Sequence, residues 1–323
     1  MKRKPTYYQK SKYVTPTFFL LAIVCLLGGC EHIQHVESPM KSSTGRVERL
    51  PDFSETFIPN RPIDVWLPDG YDSSKSFAVL YMHDGQMLFD DTQSWNGQEW
   101  KVDEVLGELM AGGKVKEVIV VGIGNAGKNR HAEYFPQAPF ESLEASYKDS
   151  LLDDSNQQSL FATAVYSDAY LSFLVEELKP YIDVYYATKP DRQNTYVAGS
   201  SMGGLISMYA MCEYPDVFSG AACLSTHWVG IFEAENNPIP DAFVSYLGER
   251  LPDPSQHKWY FDYGTETLDA MYEPYQLRVD STMKEKGYSP ENWRTLKFEG
   301  QNHSEDAWSQ RLHIPITFLL AKE

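Results

Sequence analysis

Asn194-Thr195-Tyr196-Val197-Ala198-Gly199-Ser200-Ser201-Met202-Gly203-Gly204, running on into Leu205-Ile206-Ser207-Met208-Tyr209-Ala210-Met211, is the stretch on which the reading of the chain turns. A short β-prone run ends in a knot of small residues, and an apolar run with helical spacing follows without a gap. The knot reads G-x-S-x-G. A serine at such a strand-turn-helix junction takes a strained backbone and projects its hydroxyl from the tip of a sheet, while small neighbours let strand and helix approach closely. Ser201 is the candidate nucleophile, and Ser200 is the variable residue of the motif.

Outward from this junction, short β-rich runs alternate with helical ones from Pro62 onward. The strand candidates are IDVWLP, FAVLYMHDG, EVIVVGIGN, NTYVAGS, SGAACLS, KWYFDYG and WRTLKFEG. Helical spacing marks Ala162 to Val184 and Met202 to Tyr214. Strands that are apolar throughout and alternate with helices predict an α/β fold with a mainly parallel sheet covered on both faces. With no internal repeat, residues 51–323 are expected to form one catalytic domain. Two long polar connections, 126–162 and 227–257, follow strand ends and are expected to wall the site, because ligands of open α/β sheets bind at the carboxyl ends of strands.

A serine hydroxyl needs a base within hydrogen-bond reach, itself oriented by a carboxylate. In hydrolases of this fold the order is serine, acid, histidine. Of the eight histidines only His303 and His313 follow the strand KWYFDYG that should deliver the acid. His303 sits in Gly300-Gln301-Asn302-His303-Ser304 just past a strand and is taken as the base, whereas His313 lies in an apolar C-terminal run. For the acid, Asp269 and Glu266 both follow the strand-end Gly264, with Asp262 a third carboxylate inside the strand. Asp269 is the commoner residue type and Glu266 lies nearer the strand. The oxyanion is expected to meet the Met202 backbone N–H and a second N–H at Gln86 or Met87, in a loop where Gly85 permits a sharp turn. Trp95, Trp228 and Trp308 are candidate pocket walls. Gly122-Ile123-Gly124-Asn125-Ala126-Gly127 matches a dinucleotide fingerprint, but KNRHAEYFPQAP follows with two prolines and no apolar stripe, so nucleotide binding is not expected.

The segments HDGQMLFD (83–90), GSSMGG (199–204), DYGTETLD (262–269) and GQNHSEDAW (300–308), in this order and spacing, resemble the esterase D and feruloyl-esterase-like branch of the α/β-hydrolases. The resemblance implies the α/β-hydrolase fold, with Ser201 and His303 as nucleophile and base and the Gln86 region as oxyanion loop. The family's acid commonly falls three residues after the strand-end glycine, where this chain has Thr267. Arg130, Glu133 and Tyr134 resemble a segment near the site in relatives, and a structural salt bridge would account for them equally well.

Composition bounds the rest. With 28 Lys+Arg against 45 Asp+Glu the formal net charge is -17, and no basic stripe suits a phosphate backbone, so nucleic acid is not an expected partner. The basic residues before position 30, Lys2, Arg3, Lys4, Lys10 and Lys12, all precede the apolar run Thr17 to Leu27, which is too short to span a bilayer but suits a signal peptide. That run ends in Leu27-Gly28-Gly29-Cys30 and resembles a bacterial lipobox, which implies a signal peptide over 1–29, lipidation of Cys30 and a membrane-anchored exported protein of the periplasm or outer membrane. Residues 30–50, polar and without periodicity, are expected as a tether. Cys212 and Cys223 lie in apolar runs and read as buried thiols, and no metal-ligand spacing occurs. The expected activity is hydrolysis of a carboxylic ester, a carbohydrate-linked acyl ester among the candidates, with no cofactor. Acyl transfer to a hydroxyl acceptor, a siderophore esterase, and a non-catalytic binding module on the same scaffold are the alternatives.

Overall fold

The computed structural model describes residues 36–50, 58–153, 160–161 and 164–322. The expected signal segment and Cys30 lie outside the described residues. The strands are β1 (Val36–Glu37), β2 (Arg46–Arg49), β3 (Ile63–Leu67), β4 (Ala78–His83), β5 (Val118–Ile123), β6 (Thr195–Ser200), β7 (Gly220–Leu224), β8 (Lys258–Gly264) and β9 (Trp293–Phe298). Among the described residues they form one sheet ordered β1-β2-β3-β5-β4-β6-β7-β8-β9. β1, β2 and β3 run antiparallel, and all neighbours from β5 to β9 are parallel.

Alternation along each parallel strand divides the core. Val79 and Tyr81 of β4 join one apolar cluster, with Leu205, Phe243 and Val279, while Ala78, Leu80 and Met82 join the other, with Leu106, Ile316 and Leu319. The first face is covered by α1 (Ser167–Ser172), α2 (Lys179–Tyr185), α3 (Met202–Glu213), α4 (Ile239–Arg250) and α5 (Glu273–Glu285). The second carries the helices Val102–Ala111 and His313–Leu320. Helix α3 has no polar face because it is enclosed all round, Met202 to Cys212 being buried without a break. Cys212 and Cys223 are both buried free thiols, as their apolar settings predict. All seven strands expected from the sequence are present.

Three expectations change. Part of the stretch 30–50 is strand rather than tether: β2 pairs with β3, Val47 is buried, and the Trp66 indole donates to the Thr44 carbonyl at 2.7 Å. Its polar residues are held by partners distant in sequence, Ser38 by Asp64 (2.8 Å) and the Ser43 N–H by Asp103 (2.6 Å), which leaves no local periodicity to read. The connection 126–162 is wound into short helices, Arg130–Tyr134, Gln137–Ser142 and Ala145–Leu152. Gly85 lacks the left-handed conformation, which Asp84 adopts instead (φ 58°); a Cβ on Gly85 would lie 2.5 Å from the Gly122 carbonyl carbon, so glycine serves close approach to β5.

Glu133 is held by Arg61 through two bonds of 2.8 Å, both residues being essentially without solvent exposure. Arg61→Met leaves a buried carboxylate unpaired and should cost about 3–5 kcal/mol, read as the loss of unfolding free energy in urea. Arg61→Met/Glu133→Leu should recover most of it, and equal losses in the two variants would contradict this account.

Candidate active site

Each strand of the parallel array delivers a site residue just beyond its carboxyl end: Asp84 and Gln86 after β4, Asn125 and Arg130 after β5, Ser201 after β6, Ser225 and His227 after β7, Asp269 after β8, His303 after β9. The chain leaves β4 toward β5 on one side and returns to β6 on the other, so the crevice between β4 and β6 is the topological switch point. A cavity of about 570 Å³ opens there, lined among others by Gln86, Trp95, Arg130, Ser201, His303 and Trp308.

Ser201 has φ 57° and ψ -121°, a conformation that L residues rarely adopt. The junction holds it from both sides: its N–H donates to the Leu224 carbonyl (2.9 Å), and its carbonyl accepts from Gly204 (3.0 Å) and Leu205 (3.2 Å). A Cβ on Gly199 would fall 2.6 Å from the Gly203 carbonyl oxygen, which is why the motif's first glycine cannot grow a side chain. Met202 opens α3 and Gln86 lies in the first turn of the short helix Gly85–Met87, so both backbone N–H groups precede any intrahelical acceptor. The Met87 N–H is used within its own turn, donating to the Asp84 carbonyl at 2.9 Å.

His303 and Asp269 come together. His303 Nδ1 lies 2.5 Å from Asp269 Oδ1. The other carboxylate oxygen accepts from the Gly264 N–H (2.6 Å) and the Ser225 hydroxyl (2.5 Å), and that hydroxyl in turn accepts from the Trp308 indole (2.9 Å) and Arg311 (3.0 Å). Because the carboxylate only accepts, Nδ1 carries the proton and Nε2 keeps its lone pair. Glu266, the other candidate acid, is exposed and caps the turn Thr267–Met271, with its backbone N–H on the Gln301 carbonyl. The structure does not bring it to His303: past the left-handed Thr267 (φ 56°) it is Asp269 that is buried against the imidazole, while Glu266 stays exposed. Asp262 answers Arg311 (3.1 Å) and Tyr260 (3.1 Å) from within its strand, and burial raises its pKa.

Of the expected walls, Trp308 and Arg130 line the cavity, and so does Trp95, 81% exposed at its mouth. Trp228 does not. Its indole donates to Gln276 (2.8 Å) inside the core, since the residue after His227 turns away from the strand ends. Arg130 grips Asp84 through bonds of 2.6 and 2.8 Å. Burial pushes the Asp84 carboxyl up, but the guanidinium and Asn125 more than offset this and hold it below the usual range.

Tyr272 escaped the sequence reading. Its hydroxyl stands within electrostatic reach of Ser201 and lies 2.7 Å from Nδ1 of His227, and its ring meets that of His303 edge-on with the centroids 5.9 Å apart. A tyrosine in an acidic, aromatic helix start carries no sequence signal; only the fold brings it to the serine. Burial lowers the pKa of His227, and also takes His83 to about 3 and His131 to about 4. These imidazoles stay neutral in the folded chain while the unfolded chain protonates them below about 6.5. Stability therefore falls as pH drops from about 6.5 toward 4, by roughly 1.4 kcal/mol per pH unit for each such group. His83→Gln should reduce that slope, measured by urea unfolding between pH 6.5 and 4.5, by close to one proton; an unchanged slope would refute the assignment.

Sheet order and serine junction together define an α/β-hydrolase. The family model described as "Putative esterase" matches residues 54–313, and the chain belongs to this esterase family. The uncharacterized protein YbbA of Bacillus subtilis (strain 168) is 28% identical over 177 residues, 54% of this chain and 60% of that protein. The endo-1,4-beta-xylanase/feruloyl esterase of Xylanibacter ruminicola is 24% identical over 252 residues, 72% of this chain and 28% of that protein. The chain thus spans less than two thirds of the length of either curated relative. Among solved structures, a ferulic acid esterase superposes with a TM-score of 0.59 at 20% identity, covering 85% of this chain and 96% of that one. Enterochelin esterase from Shigella flexneri gives 0.60 at 16% identity, covering 87% and 60%. At these identities the structural likeness is one of fold.

Proposed function

We propose that the chain is a serine esterase in which Ser201 attacks the ester carbonyl, His303 takes and returns the proton, and Asp269 orients the imidazole. The observation that carries this reading is the 2.5 Å contact from Asp269 to His303 Nδ1, inside the cavity where the strained Ser201 sits. With Nδ1 committed to the carboxylate, Nε2 is the atom that accepts the serine proton as the Oγ–carbonyl bond forms, and then gives it to the leaving alcohol. The Met202 and Gln86 N–H groups stabilise the oxyanion of the tetrahedral intermediate. Water, activated by the same Nε2, releases the acid from the acyl-enzyme.

The substrate proposed is an aryl-acyl ester on a carbohydrate. Trp95, exposed at the mouth of the cavity, offers a flat surface for an aromatic acid or a sugar, and among fold relatives one ferulic acid esterase is recorded in complex with ferulic acid. A fluorophosphonate probe should label Ser201, located by peptide mass spectrometry, and a panel of acetyl, feruloyl and catecholate-siderophore esters should contain a turned-over member. An unlabelled Ser201 and no turnover on the whole panel would overturn the reading. Turnover confined to the siderophore ester would keep the chemistry and replace the substrate. Export as a Cys30-linked lipoprotein is also proposed, on the basic, apolar and small-residue succession of residues 1–30. Cys30→Ala should then move the protein out of the detergent-soluble membrane fraction's diacylated pool, detected by mass, and an unmodified Cys30 in the parent chain would exclude it.

A further inference from the structure

A second cavity, about 770 Å³, lies at the other end of the sheet. Lys116 precedes β5, Tyr196 lies at the start of β6, Ser219 precedes β7, Lys258 opens β8 and Asn292 precedes β9, so the cavity sits at the amino ends of the strands. A six-residue strand spans about 20 Å, which separates it from Ser201.

Its charge runs against the rest of the molecule. In a chain of net charge -17, this wall carries Lys116, Arg192, Lys258 and Lys322, with Glu291 as its one carboxylate. None of the four cations forms a salt bridge among the described residues. Asp191 and Asp253, next in sequence to the lining residues Arg192 and Pro254, are not part of the wall and accept from the Asn194 amide (2.9 Å) and the Ser255 N–H (2.9 Å).

The cations are placed rather than loose. Lys116 Nζ donates to the Tyr196 hydroxyl at 3.0 Å, and Arg192 is fixed by Gln256 at 2.5 Å. Lys258 Nζ stands 5.9 Å from the Phe318 ring centre. Like charges gathered in a concave wall repel one another, and an anion that bridges them removes that cost. Several non-coplanar donors suit a tetrahedral oxyanion better than a planar carboxylate, which needs one fork.

We infer that this cavity binds a phosphoryl group, on a free phosphorylated ligand or on a lipid headgroup, at a site separate from the esterase centre. The inference stands independently of the esterase reading. The test is calorimetric titration of the full chain with sodium pyrophosphate at low ionic strength. Saturable binding at one site is expected, equal in Ser201→Ala, and at least tenfold weaker in Arg192→Gln/Lys258→Gln, with ester turnover unchanged in the double variant. Lys322→Gln, exposed near the chain end, should weaken binding about threefold without changing the melting temperature, and serves where the double variant does not fold. No saturable binding, or equal binding by the charge variants, overturns the inference. Co-sedimentation with phosphatidylglycerol vesicles separates the sources: an increment over phosphatidylcholine that pyrophosphate displaces and the variants lose marks a headgroup, and pyrophosphate binding without that increment marks a free ligand.

Discussion

Ser201→Ala should lower kcat for ester hydrolysis by a factor on the order of 10⁶, the loss that follows when the nucleophile of a serine triad is removed. The reason lies in what remains. His303 still presents Nε2 and the Gln86 and Met202 N–H groups still face the crevice, but no covalent step is available, and water must reach the carbonyl unaided. Stability should change little, since the substitution removes one hydroxyl from the wall of the cavity rather than a packed apolar contact. Single-turnover kinetics on the reactive ester identified in the panel would measure this. Residual activity above a hundredth of the parent would mean that another group attacks.

Asp269→Asn should cost about 10⁴ in kcat, or about 5.4 kcal/mol of transition-state stabilisation, with the geometry kept. The direction is dictated by the far side of the carboxylate. Oδ2 accepts from both the Gly264 N–H and the Ser225 hydroxyl, so an amide in its place keeps its oxygen there and turns its NH₂ toward His303. Nδ1 must then accept, the ring proton moves to Nε2, and the base faces the serine with the wrong tautomer. Glu266→Gln should leave kcat within a factor of about two, because an exposed carboxylate on the turn contributes only weakly through solvent. The pair of kcat/KM values distinguishes the two acids, and a large loss in Glu266→Gln would reverse the assignment.

The parallel core was legible because its strands are buried on both faces and therefore read as unbroken apolar runs. Val118 to Ile123 and Ala78 to His83 are of this kind. Ser201 and His303 were legible because the junction has a required shape and the chain order leaves few histidines. β2 was hidden by its charged residues, Arg46, Glu48 and Arg49, which are satisfied across the sheet by neighbours such as Asp64. The acid was ambiguous for a different reason. Thr267 in a left-handed conformation decides which of two nearby carboxylates turns inward, and nothing local announces that a β-branched residue will adopt it. Trp228 and Tyr272 exchange roles for the same cause: position along the chain does not reveal whether an aromatic at a strand end faces the crevice or the core.

The two rims of the sheet differ from its interior in a way that bears on self-association. Among the described residues one end is a strand of two residues, and at the other β9 carries exposed Arg294 and Lys297 among half-covered neighbours. A rim that short, or that charged, is a poor template for a second chain to extend by strand addition. The broad apolar middle of the sheet is thereby kept from propagating into fibrils when many copies crowd together.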